Sequence, residues 1–229
     1  MNVAVVTVGD ELLAGRTANT NATWLAEQLT DRGVAVERVT TIPDRIDDLA
    51  RVVNEYRAEY DAVLVTGGLG PTHDDVTMEG VAAAVGRRLE PHEGALEWLA
   101  EEGGYSHEDL TDGTGNLPAG ARALHNTNGV APGVVLENIY VLPGVPEEMK
   151  SMFDGIAGEF NGVRTHREVV VADEPESALL DRLAELRDRF DVSVGSYPGE
   201  SVRVAIESTD LQTVQAAAEW FEDRTEQPS

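Results

Sequence analysis

The chain contains no cysteine. That excludes disulfides, thiolate zinc sites, iron–sulfur clusters and cysteine nucleophiles together. Lysine is nearly absent as well: of 17 basic residues only Lys150 is a lysine, against 42 acidic residues and a formal net charge of −25 at pH 7. A surface of that sign repels nucleic-acid phosphates and anionic lipid, so neither a nucleic-acid nor a membrane partner is expected. The five histidines (73, 92, 107, 125, 166) show no His-x-His or His-x-x-x-His spacing, which argues against a histidine-built metal site. Long apolar runs are missing too. The first, Val3 to Val8, is too short for a signal peptide and runs into Asp10-Glu11. No stretch approaches the roughly 20 apolar residues of a membrane span. A cytoplasmic protein is expected.

What is present suffices for a core. The 229 residues are 41% hydrophobic, enough for one large domain or a medium domain with an appendage. The acidic excess is spread along the whole chain, which points to a high-salt cytoplasm, where cations screen the self-repulsion.

Hydrophobic patterning alternates strand and helix over the first two-thirds. Val3 to Val8 is a continuous apolar run, as in a parallel strand buried on both faces, Val34 to Ile42 alternates as a strand, and Asp61 to Thr66 reads as a third, buried strand. Asn19 to Leu29 has helical spacing, with Gly33 beyond it as a stop. Pro43-Asp44 opens a helix carrying Ile46, Leu49, Val52 and Val53 on one face, and another helix is expected from about Asp75 to Val85. Residues 102–120 read as a long loop. Val134 to Leu136 and Ile139 to Leu142 flank Glu137-Asn138 as a hairpin, and Pro146 to Phe153 reads as a helix with Pro in its first turn. Successive strand–helix units imply an α/β, Rossmann-like, doubly wound, mostly parallel sheet over residues 1–162. Residues 166–225 then read as a small α+β domain: strand Glu168 to Ala172, helix Glu176 to Phe190, strands Val192 to Gly195 and Val202 to Glu207, and helix Leu211 to Asp223.

Ligands of such sheets bind beyond the carboxyl ends of the strands. Three segments converge there: Gly9-Asp10-Glu11, Pro43-Asp44, and Thr66-Gly-Gly-Leu-Gly-Pro-Thr-His-Asp-Asp75. Gly67, Gly68 and Gly70 permit a sharp turn and close backbone approach, and a helix N-terminus after them favours an anion. No Gly-Lys-[Ser/Thr] follows, and position 73 is His where the dinucleotide fingerprint needs Gly, so both generic phosphate motifs are excluded. The bland alternative is a tight turn with Thr72 capping the helix and Asp75 as its capping-box partner. Asp10, Glu11, Asp44, Asp74 and Asp75 share the same end of the sheet. Phosphate among them would be repelled without a divalent cation, although Asp44 also suits a helix cap and Asp74 a helix dipole. Asn19 and Asn21 read as caps or ligand contacts, Arg16 as a steering cation, and His73 as a proton carrier or a spectator.

Four longer blocks carry a resemblance: Thr7 to Asn21 (TVGDELLAGRTANTN), Val65 to Thr77 (VTGGLGPTHDDVT), Asn128 to Gly133 (NGVAPG) and Leu142 to Met149 (LPGVPEEM). In this order they resemble the signature blocks of the CinA family, whose core is the molybdopterin-binding (MoaB/Mog-like) domain. The C-terminal part is similar, more loosely, to that family's small KH-like middle domain, through Val194-Gly-Ser-Tyr-Pro198. The nicotinamide-nucleotide amidase domain of the long bacterial form would be absent. The resemblance implies a small phosphorylated ligand, ADP-ribose or a pterin phosphate such as molybdopterin, and a homo-oligomer. It also implies hydrolysis of ADP-ribose to AMP and ribose 5-phosphate, with Mg, Mn or Co as divalent cation. Adenylyl transfer in molybdenum cofactor synthesis, or nucleotide sensing without catalysis, are the alternatives. Carried onto this chain, Asp75, Asp74 and Asp44 would be catalytic, and Asp10, Glu11, Asp44 and Asp75 would hold the metal. Gly67, Gly68, Gly70, Thr72, Thr77, Asn19, Asn21, Gly144, Pro146 and Glu147 would contact the ligand.

Overall fold

A computed structural model describes residues 1–70, 75–102 and 113–226. The chain divides into two compact units, Met1–Gly162 and Val163–Ser229.

The large unit is built in the order β1 (Asn2–Val8), α1 (Asp10–Leu13), α2 (Thr20–Thr30), β2 (Ala35–Ile42), α3 (Ile46–Glu59), β3 (Ala62–Gly67), α4 (Thr77–Ala84), β4 (Leu89–Pro91), α5 (Glu93–Glu101), β5 (Asn116–Pro118), β6 (Arg122–Leu124), β7 (Gly133–Leu136), β8 (Ile139–Pro143) and α6 (Pro146–Ile156). Six strands form one sheet in the order β2-β1-β3-β8-β7-β6. Strands β2, β1, β3 and β8 pair in parallel, while β7 runs antiparallel to both β8 and β6. This is the expected doubly wound, mostly parallel sheet. Its order reverses at β1, which lies between β2 and β3.

Strand period decides the layering. In β1, Val3 and Val5 join Leu25, Leu29 and Phe153 of α2 and α6 on one face. Ala4, Val6 and Val8 join Leu49, Val53 and Val81 of α3 and α4 on the other. Each Val, Leu or Phe side chain so buried contributes about 1.5–3 kcal/mol. At Gly80 an added Cβ would lie 2.4 Å from Leu49 Cδ2, so this glycine sets how closely α4 approaches α3.

The small unit contains β9 (His166–Ala172), α7 (Glu176–Arg189), β10 (Ser193–Tyr197), β11 (Val202–Ser208) and α8 (Leu211–Glu222), with the antiparallel strand order β10-β11-β9. Leu179, Leu183 and Leu186 of α7 and Ala217 and Phe221 of α8 bury against Val170, Val204 and Ile206. Asp210 caps α8: its carboxylate accepts the Thr213 N–H at 2.8 Å and hydroxyl at 2.6 Å, which lowers its pKa.

Several local expectations change. Asp10-Glu11 lies in the one-turn helix α1 and not in a loop, and α4 starts at Thr77, two residues after Asp75. The cap of α3 is Arg45, not Asp44. Within the expected loop 102–120, Asn116–Pro118 forms β5 and pairs with β4, because Leu117 has a buried slot to fill. Strand β10 begins at Ser193 and runs to Tyr197, shifted from the expected 192–195. The hairpin turn Glu137-Asn138 is as expected, with Glu137 at φ 55. Its carboxylate accepts from Arg57 at 2.9 Å.

Candidate functional site

A row of threonines marks the carboxyl edge of the sheet. Thr7 of β1 pairs in register with Thr41 of β2 and with Thr66 of β3. Thr7 and Thr66 are buried, so their hydroxyls must find partners inside the protein. Two asparagines of the α2 start supply them. Asn19 Nδ2 donates to Thr7 Oγ1 at 2.9 Å and to Thr41 Oγ1 at 3.2 Å. Asn21 Nδ2 donates to Thr66 Oγ1 at 3.2 Å and to the Gly144 carbonyl at 2.8 Å, and Thr66 Oγ1 donates to the Pro143 carbonyl at 2.7 Å. One helix start is thereby tied to the ends of all four parallel strands.

The asparagines then differ. Asn19 Oδ1 accepts the Ala22 N–H at 3.1 Å, the capping role expected for at least one of the pair. Asn21 Oδ1 is buried without a protein partner. Such an acceptor costs about 1–3 kcal/mol unless a ligand or water donates to it. It borders a cleft of about 100 Å³ lined by Thr7, Glu11, Asn19, Thr66, Gly144 and Pro146 among others. The cleft sits where the strand order reverses, between the ends of β1 and β3, the position at which open α/β sheets bind ligands.

The glycine turn lies beside it. An added Cβ at Gly68 would stand 1.9 Å from Asp75 Oδ1, and one at Gly70 would stand 2.8 Å from Asp75 Oδ2. The close approach permitted by these two glycines is thus made by the Asp75 carboxylate. At Gly67 the neighbour would be Thr77 Oγ1 at 2.5 Å, a fully buried hydroxyl with no protein partner. Gly144 packs against Gly67 itself: its added Cβ would be 3.2 Å from the Gly67 carbonyl carbon. Gly70 and Asp75 also line a polar hollow of about 50 Å³ with Glu79, Thr114 and Asn116.

Asp10 and Asp44 adjoin, the Asp44 carboxylate accepting the Asp10 N–H at 2.8 Å. Glu11 lines the cleft, and its carboxylate folds back over Gly9. Among the described residues no three acidic or histidine side chains gather as a ready-made metal cage. Glu147 lies at the lip but does not line the cleft, and its carboxylate accepts from Lys150 at 2.8 Å. Arg16 is exposed beside Thr17, a lining residue. Thr72, His73 and Asp74 lie outside the described residues. His92 serves structure: Nδ1 accepts the Ala95 N–H and Nε2 meets the Ala121 carbonyl.

Thr7, Thr41, Thr66, Glu79 and Asn116 were not singled out by sequence reasoning. A signal existed for the threonines, each being a polar residue near the end of an apolar strand run.

No helix among the described residues is long and apolar enough to cross a membrane. Residues 4–161 match the family model described as "Probable molybdopterin binding domain", and residues 164–228 match that of "FAD synthase, middle domain". A protein of Archaeoglobus fulgidus is 39% identical over 225 residues, covering 97% of both chains. One from Aeropyrum pernix is 40% identical over 236 residues, covering 93% of this chain and 88% of its own. The crystal structure of CinA from Thermoplasma acidophilum, described as of unknown function, is 36% identical with a TM-score of 0.64, over 69% of this chain and 97% of that one. The chain belongs to the molybdopterin-binding-domain family, in its CinA-like form.

Proposed function

We propose that the large unit hydrolyses a nucleotide diphosphate such as ADP-ribose to AMP and ribose 5-phosphate, with Mg²⁺, Mn²⁺ or Co²⁺ arriving on the substrate. One observation carries this reading. The Asp75 carboxylate sits across the Gly68–Gly70 turn, at the edge where a diphosphate would meet the sheet. Carboxylate and phosphate share such a place only with a cation between them. The donor set suits a hard ion, because the candidate side chains offer carboxylate oxygen alone. Two carboxylates and substrate phosphates are a normal Mg²⁺ environment, which needs no three-residue protein cage. Asp75 at the glycine turn, with Asp74 beside it in sequence, and the adjoining Asp10 and Asp44 are two separate carboxylate groups, either of which would hold it together with the substrate phosphates.

When bound, the cation supplies neutralisation of the charge that grows on the diphosphate oxygens. The chain's own residues do the rest. Asn21 Oδ1, an acceptor without a partner within the protein, would take a hydrogen bond from a ligand hydroxyl. The α2 and α4 starts favour its negative charge. A carboxylate of the Asp44, Asp74, Asp75 group takes a proton from water as the water oxygen bonds to one phosphorus. The bond from that phosphorus to the bridging oxygen breaks, and the bridging oxygen leaves with the electron pair on the second phosphate.

A second reading, binding of a pterin phosphate, is favoured by the family description of residues 4–161. The match of residues 164–228 to a FAD synthase domain places FAD, another nucleotide diphosphate, in the same assay. Purified protein is incubated with ADP-ribose or FAD and each cation, and AMP is measured. AMP release supports hydrolysis. No turnover, together with calorimetric binding of molybdopterin, would reverse the ranking.

A further inference from the structure

Beside the cleft lies a larger cavity of about 380 Å³ that no expected site residue explains in full. The two share Ala18, Asn19, Thr20, Asn21 and Pro146, so a ligand anchored in one reaches directly into the other. The added walls are chemically distinct: Trp24 and Glu27 from α2 and Lys150 from α6. Trp24 is partly exposed, and its ring makes a T-shaped contact with buried Phe153, with centroids 5.5 Å apart and planes at 85°. Lys150 is the only lysine in the chain, and its ammonium donates to the exposed Glu147 carboxylate at 2.8 Å.

We infer that this cavity is the subsite for a flat, amino-bearing nitrogen heterocycle, the base end of the ligand whose phosphates lie at the sheet edge. Resting on the nucleotide reading above, the inference adds where specificity is decided. An indole presents a π-face to any heteroaromatic ring, and the pyrrolidine of Pro146 adds an apolar surface. Glu27 accepts from an exocyclic amino group, while Lys150 donates to a ring nitrogen or carbonyl. A bare phosphate would leave the π-face unused. Purines and pterins both have the required chemistry, and the two are separable by experiment.

Calorimetry on the whole chain with Mg²⁺ uses three probes: AMP, a pterin monophosphate and inorganic pyrophosphate. Trp24→Ala should weaken the heterocyclic probe about tenfold or more while leaving pyrophosphate unchanged, and Trp24→Phe should restore most of the loss. Lys150→Gln, a substitution at a partly exposed position, should weaken the same probe by a smaller factor. Whichever of AMP and the pterin shows this dependence is the class the site takes. Equal affinity in Trp24→Ala and wild type would overturn the inference. So would an equal loss for pyrophosphate, which marks Trp24 as a packing residue. Pyrophosphate binding without either heterocycle would overturn the subsite and leave the diphosphate reading standing. Binding of none of the three would overturn both.

Discussion

Glu174 in the small unit and Asp44 and Asp75 in the large unit sit in different surroundings. In the small unit Glu174, 14% exposed, is gripped by the Arg182 guanidinium and also accepts the Glu226 N–H at 2.8 Å. Arg182 donates further to the carbonyls of Ala178 and Arg224, so one ion pair ties α7 to the segment after α8. The hydrogen bond from Arg182 comes first in holding the Glu174 pKa down to about 2. On the sheet edge of the large unit, Asp44 takes a backbone N–H and Asp75 lies over glycines. The difference teaches where to look in a very acidic protein. The Glu174–Arg182 pair is structural, whereas Asp44 and Asp75 are the carboxylates proposed above to meet a cation that comes with a ligand.

Substitution at the edge should produce the largest effect. Asp75→Ala is expected to lower AMP release by about a hundredfold or more while circular dichroism shows an intact fold. Unchanged turnover would remove Asp75 from the site. Gly68→Ala tests the same geometry through the backbone. Its methyl would collide with the Asp75 carboxylate, so activity should fall and stability drop by about 1–3 kcal/mol as the turn shifts.

Changes in the small unit should do the reverse. Glu174→Gln is expected to lower the unfolding temperature and leave the hydrolysis rate unaltered. Because the folded-state pKa is depressed, wild type should hold its advantage over Glu174→Gln above the ordinary carboxylate range, near pH 4.3. The advantage should shrink as pH falls toward about 2. A gap that widens on acidification would show the pair acting in another way. The smallest and most diffuse effect is that of salt. If most of the 42 acidic residues form a solvated shell, thermal stability should rise gradually from low salt to molar KCl. Equal stability at both ends would sink the high-salt reading.

What the sequence made legible follows from burial. Strands β1 and β3 are covered on both faces, so their apolar runs are unbroken and readable. Helix α3 buries Leu49, Val52, Val53 and Tyr56 on one stripe, which its period displays. Three-residue strands such as β4, β5 and β6 are too short to show a period, and their existence depends on partners distant in sequence. The site was legible in its residue types and not in its wiring. Asn19 and Asn21 stand two positions apart with the same chemistry, yet one is consumed by capping and the other keeps a buried oxygen without a partner. That distinction depends on Thr66 and Gly144, 45 and 123 residues away from Asn21. Gly68 and Gly70 leave in the fold the space that the Asp75 carboxylate occupies.

Cleavage of a diphosphate at the edge of the large unit, as proposed, has a direct readout at phosphorus. Phosphorus NMR of the whole wild-type chain with ADP-ribose and Mg²⁺, Mn²⁺ or Co²⁺ tests it most directly. The two linked phosphorus signals should disappear as AMP and ribose 5-phosphate appear in equal amounts. ADP-ribose left intact with all three cations would contradict it.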